Sequence, residues 1–230
     1  MISLIDAELR DELNYEVVCR RGHRNRLALW VPRFAILIDA GACALHEGYY
    51  REAVSSFAAG LERFYEYWLR AMLAHMGVPS GAIAATWKAM AAQSERQFGA
   101  YTALYCSVFK RPPDVLNTTE REFRNDAVHK GKIPSRASTH RFGQRVIDLV
   151  ALQATELQSE LGPEKVTETL RDEVERDGRA RFGSDFVPDF FLHVNTIVGV
   201  GREPVVRGTL EERMRVTALS WRQPLAEMLS

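Results

Sequence analysis

Residues 50–76, YREAVSSFAAGLERFYEYWLRAMLAHM, decide the fold. Val54, Phe57, Ala58, Leu61, Tyr65, Trp68, Leu69 and Met72 recur at helical spacing, while Glu52, Arg63, Glu66 and Arg70 fall mostly on other faces. Apolar residues with that period mark one face of an α-helix, and their persistence over this length predicts a long amphipathic core helix. Gly77 and Pro79 end it.

Working outward, Pro32 opens a nearly continuous apolar stretch from Phe34 to Leu45, a buried helix stopped at Gly48. Downstream, the Ala-rich stretch from Pro79 to Tyr101 predicts a third helix that continues in broken form to Phe109. Pro112 and Pro113 interrupt. A helix from about Asp114 to His129 follows, closed by Gly131 and Pro134, and another from Ser135 to Leu161 carries Phe142, Val146, Leu149 and Val150 on its inner face. The fold class expected is mainly all-α, a helical bundle over residues 32–161. Residues 1–31 form an N-terminal segment and residues 162–230 a C-terminal helical extension. In that extension Glu164 to Asp177 reads as an exposed, charged helix, Phe190 to Val198 as a short strand with no obvious partner, and Thr209 to Trp221 as a helix that packs back.

The chain has 230 residues, 46% hydrophobic and 26% charged, which suffices for a real core and argues against extended disorder. Three cysteines, Cys19, Cys43 and Cys106, share no repeating spacing, so neither a disulfide framework nor a complete zinc site is encoded. A reducing, cytoplasmic location is expected. The most apolar early stretch, Leu27 to Leu45, is broken by Arg33 and Asp39, and the N-terminus lacks a signal-peptide pattern, so neither export nor a membrane span is expected.

Net charge is zero, which alone gives no reason to expect a nucleic-acid partner. Its distribution does. Nine Lys or Arg face four Asp or Glu between Lys110 and Arg145, whereas eight acids face three bases between Ala151 and Gly178. The basic region holds Arg124-Asn125-Asp126-Ala127-Val128-His129. A histidine can move the proton of a ribose 2′-OH, and an arginine can hold the phosphate and stabilise the charge of a pentacovalent transition state. The spacing alone says little, because Arg70 and His75 share it. Context separates the two: Asn125 follows the arginine, Lys130-Gly131 follows the histidine, and the surroundings are basic.

With Asn125 directly after the arginine, this segment resembles the Arg-x4–6-His motif of the HEPN family (higher eukaryotes and prokaryotes nucleotide-binding), and the likeness extends over Pro32 to Leu161 with its Gly48-Tyr49-Tyr50-Arg51-Glu52-Ala53 helix start. The resemblance implies a HEPN-like bundle and a metal-independent, cofactor-free endoribonuclease, with RNA as partner. It also implies a homodimer with a composite active site, and a role in toxin–antitoxin or phage-defence systems with an antitoxin protein as a possible binding partner. Arg124, Asn125 and His129 are the catalytic candidates. Lys130, Lys132 and Arg121 are expected to contact the RNA backbone, and Glu62 to face the motif from an earlier helix. Five residues along an ideal helix turn through about 140°. Arg124 and His129 should therefore diverge unless the helix bends before Gly131 or a second protomer supplies the complement, and the dimer is the favoured remedy.

Cys19-Arg20-Arg21-Gly22-His23 resembles a zinc-ribbon knuckle without its second cysteine, so no structural zinc is expected there, and the arginines around it form a basic turn. Two other function classes compete with the ribonuclease: a non-catalytic RNA- or nucleotide-binding module, and a helical protein-interaction scaffold.

Overall fold

The computed structural model describes residues 9–19, 21–193, 196–200, 209–211 and 214. Its elements run β1 (Asn14–Val18), β2 (Arg24–Trp30), α1 (Arg33–His46), α2 (Tyr50–His75), α3 (Ser80–Met90), α4 (Ser94–Phe109), α5 (Thr118–Val128), α6 (Arg136–Leu161), α7 (Pro163–Phe182) and β3 (Phe190–His193). The fold is mainly helical, as the sequence predicts, with a small three-stranded sheet in which only β3 falls in a stretch expected to be a strand.

α2 is the axis: α1, α4, α5, α6 and α7 all pack on it. Val54, Phe57, Leu61, Phe64, Trp68 and Met72 step along its inner face by three or four residues and are buried. Along α2 the closest approach lies at Phe57. Its ring sits between Gly41 of α1 and Gly143 of α6, where an added Cβ would stand only 2.8 Å and 2.5 Å from ring carbons. The missing side chains let three helices close on one aromatic ring. On another side, Tyr101 of α4 stacks on Tyr65 with centroids 4.3 Å apart and meets Trp68 edge-on at 5.1 Å.

The broken third helix resolves into α3 and α4. Gln93 between them is extended, and the Gln97 side-chain amide donates to the Ala91 carbonyl at 2.8 Å, satisfying an acceptor that the break leaves open.

α7 corrects the expectation of an exposed helix. Val166, Leu170 and Val174 form a buried stripe against α2 and α6, and the Tyr67 hydroxyl donates to the Val166 carbonyl at 2.8 Å. Three apolar residues at four-residue steps are easily overlooked among the six acids of this helix. The sequence reading also missed the β1–β2 hairpin. The knuckle-like segment is its turn, in which the Cys19 N–H donates to the His23 carbonyl at 3.0 Å and the Gly22 N–H to the Cys19 carbonyl at 2.8 Å; Arg20 lies outside the described residues.

β3 falls within the expected strand, and its partner is β2, in parallel register with Leu27 opposite Phe190. Asn14 Nδ2 donates to the Val174 carbonyl at 3.0 Å, tying β1 to α7. Asp39, the charge that interrupts α1, is buried and accepts from the Ile197 N–H at 2.9 Å, so it pins the segment after β3 to the bundle. Of the expected helix from Thr209 to Trp221, Leu210 and Met214 are buried; most of its other residues, Trp221 among them, lie outside the described residues. Cys19, Cys43 and Cys106 are free thiols. Among the described residues no helix is long and apolar enough to cross a membrane.

Candidate functional site

Both ends of α5 are anchored. At its start Asn117 and Glu120 form a capping box, with the Glu120 N–H donating to Asn117 Oδ1 at 2.9 Å and the Asn117 N–H to Glu120 Oε2 at 2.8 Å. Phe123 packs against Phe142 of α6, and near the C-terminal end Arg51 Nε of α2 donates to the Ala127 carbonyl at 3.1 Å.

Beyond Val128 the helix does not continue as an ideal spiral. The N–H groups of His129 and Lys130 both donate to the Asn125 carbonyl, at 2.9 and 3.3 Å, and the Lys132 N–H reaches back to the Asp126 carbonyl at 3.1 Å. Gly131 takes φ +69°, which lets the chain turn out of the helix. His129 itself still closes an ordinary helical bond and keeps right-handed helical dihedrals, so the widening begins only after it. Arg124 Nη1 lies 3.3 Å from His129 Nε2 and donates to Asn125 Oδ1 at 3.0 Å. The expected divergence of Arg124 and His129 is thereby corrected: a single chain brings them together.

Glu62 of α2 completes the cluster by accepting from Arg124 Nη2 at 2.5 Å. This charge-assisted contact is half-buried, with the Arg124 and Glu62 side chains 23% and 32% exposed, so water competes for it less than for a surface pair. Arginine has only donors, so a hydrogen bond at this contact uses the Nε2 lone pair in the tautomer that carries its proton on Nδ1. Asn125 and His129 are exposed, so the cluster is open to a large substrate.

Lys130 and Lys132 are not independent cations. Both pair with Asp126, at 2.9 and 2.6 Å, and their hydrogen bonds hold its carboxyl below the usual carboxylate range. All three carry their charges at the surface, where such pairs are weak and yield to salt or to a competing anion. Arg121 has one long contact, 3.4 Å from Nη2 to Thr118 Oγ1. Together with Arg124, Glu62, Tyr65, Gln97 and Phe98 it borders a pocket of 220 Å³ between α2, α4 and α5.

Arg51, Asp126 and Tyr65 were not singled out by sequence. Arg51 and Tyr65 sit in the long α2 pattern, where nothing marks them apart from core or surface positions, and Asp126 lies inside the motif with no spacing signal of its own.

A second cleft, of 640 Å³, lies between α2, α3 and α7 and is bordered by Tyr67, Arg70, Glu173 and Arg176. Burial pushes the Glu173 carboxyl up to about 7. Among the described residues no three His, Cys, Asp or Glu side chains stand together in a way that could hold a metal ion. No family model, curated protein or solved structure matches the chain.

Proposed function

We propose that this protein is a HEPN-type endoribonuclease that cuts RNA without a metal, using Arg124, Asn125 and His129. The observation that carries the reading is the cluster itself: Arg124 held between Glu62 at 2.5 Å and His129 at 3.3 Å on an exposed helix end. RNA entering the cluster draws the guanidinium onto its phosphate and frees His129 Nε2 to take the 2′-OH proton. The 2′ oxygen then attacks phosphorus, the P–O5′ bond breaks, and the products are a 2′,3′-cyclic phosphate and a 5′-OH end. Arg124 stabilises the charge gathering on the phosphoryl oxygens, and Asn125 orients the guanidinium. Lys130 and Lys132 exchange Asp126 for backbone phosphates.

The proton that His129 takes from the 2′-OH is the one the departing 5′ oxygen needs, so its return from the imidazolium balances the step within one cluster. A homodimer that faces two such clusters across a twofold axis is the assembly in keeping with the resemblance. Growth arrest in toxin–antitoxin or phage-defence systems, with an antitoxin protein as inhibitor, is the biological setting in keeping with the resemblance. Incubation of purified protein with RNA in EDTA tests the activity: products with cyclic phosphate ends are expected, and they disappear in His129→Ala. Cleavage that survives His129→Ala, or that stops on chelation, overturns the mechanism. RNA binding without any cleavage favours the non-catalytic module.

A further inference from the structure

Tyr65 carries the next step. It is 5% exposed, it borders the 220 Å³ pocket beside the Arg124 cluster, and its hydroxyl has no hydrogen-bond partner among the described residues. Unlike the Tyr101 hydroxyl, which is sealed off without a partner, this one is not cut off from solvent, so water there can be exchanged for a ligand atom. The neighbouring α4 residue Gln97 leaves the hydroxyl available, because its amide is committed to Ala91 at 2.8 Å and to Arg63 at 3.2 Å. The hydroxyl is poised for an atom brought in from outside.

The rest of the pocket defines that atom's carrier. Leu61 and Leu116 make an apolar lining, and the Phe98 ring stands 5.8 Å from that of Tyr65, giving an aromatic corner for a flat ring. Glu62 offers its second carboxylate oxygen to N–H donors, the first being taken by Arg124, and Arg121 adds a cation at the border. At 220 Å³ the space is below the roughly 300–1,000 Å³ of sites for drug-sized ligands, so it suits one small ring system and not an extended chain. Arg124 borders this pocket and also touches His129, which joins it to the cleavage cluster.

We propose that the pocket takes one unstacked nucleobase of the RNA held by Arg124, with its face on Phe98 and its polar edge on Tyr65 Oη and Glu62. This rests on the ribonuclease reading for its substrate. It makes the enzyme select single-stranded sites, since a base in a helix cannot be turned out without loss of stacking. It also makes the enzyme discriminate among bases by the edge presented to one hydroxyl and one carboxylate.

The test uses the full chain and the four ribonucleoside 3′-monophosphates in titration calorimetry, with RNA cleavage assayed on the same preparations. At least one nucleotide is expected to bind saturably with Kd below about 1 mM. Tyr65→Phe, which keeps the ring and removes only the hydroxyl, weakens that binding roughly three- to tenfold. Arg121→Ala, at an exposed position, weakens it too and guards against misfolding at Tyr65. If no nucleotide binds, or if Tyr65→Phe binds as wild type does, the pocket assignment is overturned, whatever happens to RNA. If nucleotides bind with the Tyr65 dependence while RNA stays intact, the pocket stands and the cleavage reading falls.

Discussion

Glu62 and Arg124 meet at 2.5 Å across the α2–α5 interface although 62 residues separate them in the chain. The pair fixes the plane of the guanidinium that faces His129, so Glu62 positions the cluster through Arg124 in addition to any contact its second oxygen makes with a base. Glu62→Gln keeps an acceptor but removes the charge, and the guanidinium loses its strongest restraint. RNA cleavage is expected to fall about tenfold in kcat, with KM rising as the base edge loses its carboxylate, while thermal stability changes by less than about 1 kcal/mol, as for a partly exposed ion pair. Arg124→Lys cannot make the forked contacts and loses roughly 100-fold or more. Steady-state kinetics beside melting curves check both; equal losses of kcat and stability in Glu62→Gln would mark it as merely structural.

Asp126 holds both lysines that are expected to reach RNA, and so it acts as a local competitor for them. Asp126→Asn releases Lys130 and Lys132 and tightens RNA binding several-fold at low salt. The plot of log Kd against log salt steepens, because more counterions are displaced when the freed cations engage phosphates. Lys130→Ala weakens binding and flattens that slope by about one phosphate contact. Filter binding at three salt concentrations, with His129→Ala in the background to keep the RNA whole, measures this. An unchanged slope in Asp126→Asn would remove these lysines from the RNA path.

The bundle was legible in the sequence because α1, α2, α5 and α6 each pair a helical apolar period with a Gly or Pro stop. What escaped has a physical reason in each case. β1 and β2 are short, and β2 carries its apolar residues as one run, Leu27 to Trp30, next to the apolar start of α1, so the two merge. α7 buries only three aliphatic side chains, Val166, Leu170 and Val174, in a highly charged background. At the site, residue spacing could not decide geometry. Arg70 and His75 have the same spacing as Arg124 and His129, yet Arg70 leans back to Glu66 at 3.0 Å, away from His75. Arg124 instead reaches forward along α5 to His129 at the helix end while Glu62 of α2 braces its other nitrogen, a tertiary contact that spacing cannot specify.

Glu173 makes part of the stability depend on pH. Its carboxyl is pushed from an ordinary 4.5 up to about 7 by burial beside α2, against the pull of Arg176 and Arg33 and with the help of Asp177 and Glu66. Between these values the folded chain keeps a proton that the unfolded chain has released, so this group favours folding at low pH and the advantage is lost as pH rises through 4.5 to 7. Above 7 the charged carboxylate costs on the order of 1–3 kcal/mol. Glu173→Gln should therefore raise the melting temperature at pH 8 and leave it nearly unchanged at pH 4.5. The wild-type minus variant difference isolates Glu173 from carboxylates such as Asp114, which Arg145 holds below its usual range and whose contribution runs the other way. A variant no more stable than wild type at pH 8 would show that the carboxyl stays solvated.

Gly143→Ala separates close packing from helix propensity. Alanine is the better helix former by about 1 kcal/mol, so an open glycine in a helix gains from the change. Gly99 in α4 is such a case, exposed and with no heavy atom within 4 Å of an added Cβ, and Gly99→Ala should stabilise the protein by up to about 1 kcal/mol. At Gly143 the new methyl meets the Phe57 ring at 2.5 and 2.7 Å, and the ring cannot retreat because Gly41 already crowds its other side at 2.8 Å. Overpacking of that kind costs about 1–3 kcal/mol, which exceeds the propensity gain. The strain also travels, since α6 holds α5 through Phe142 against Phe123 and through Arg145 on Glu120 at 3.4 Å. Displacement of α6 therefore moves the helix end that joins Arg124 to His129, and RNA cleavage falls with stability. Phe57→Leu in the same chain makes room and should recover part of both, a non-additive result expected of residues in contact. Urea midpoints for the single and double variants measure the coupling; additive effects would mean that Phe57 has room to move and that the three-helix contact is looser than these distances require.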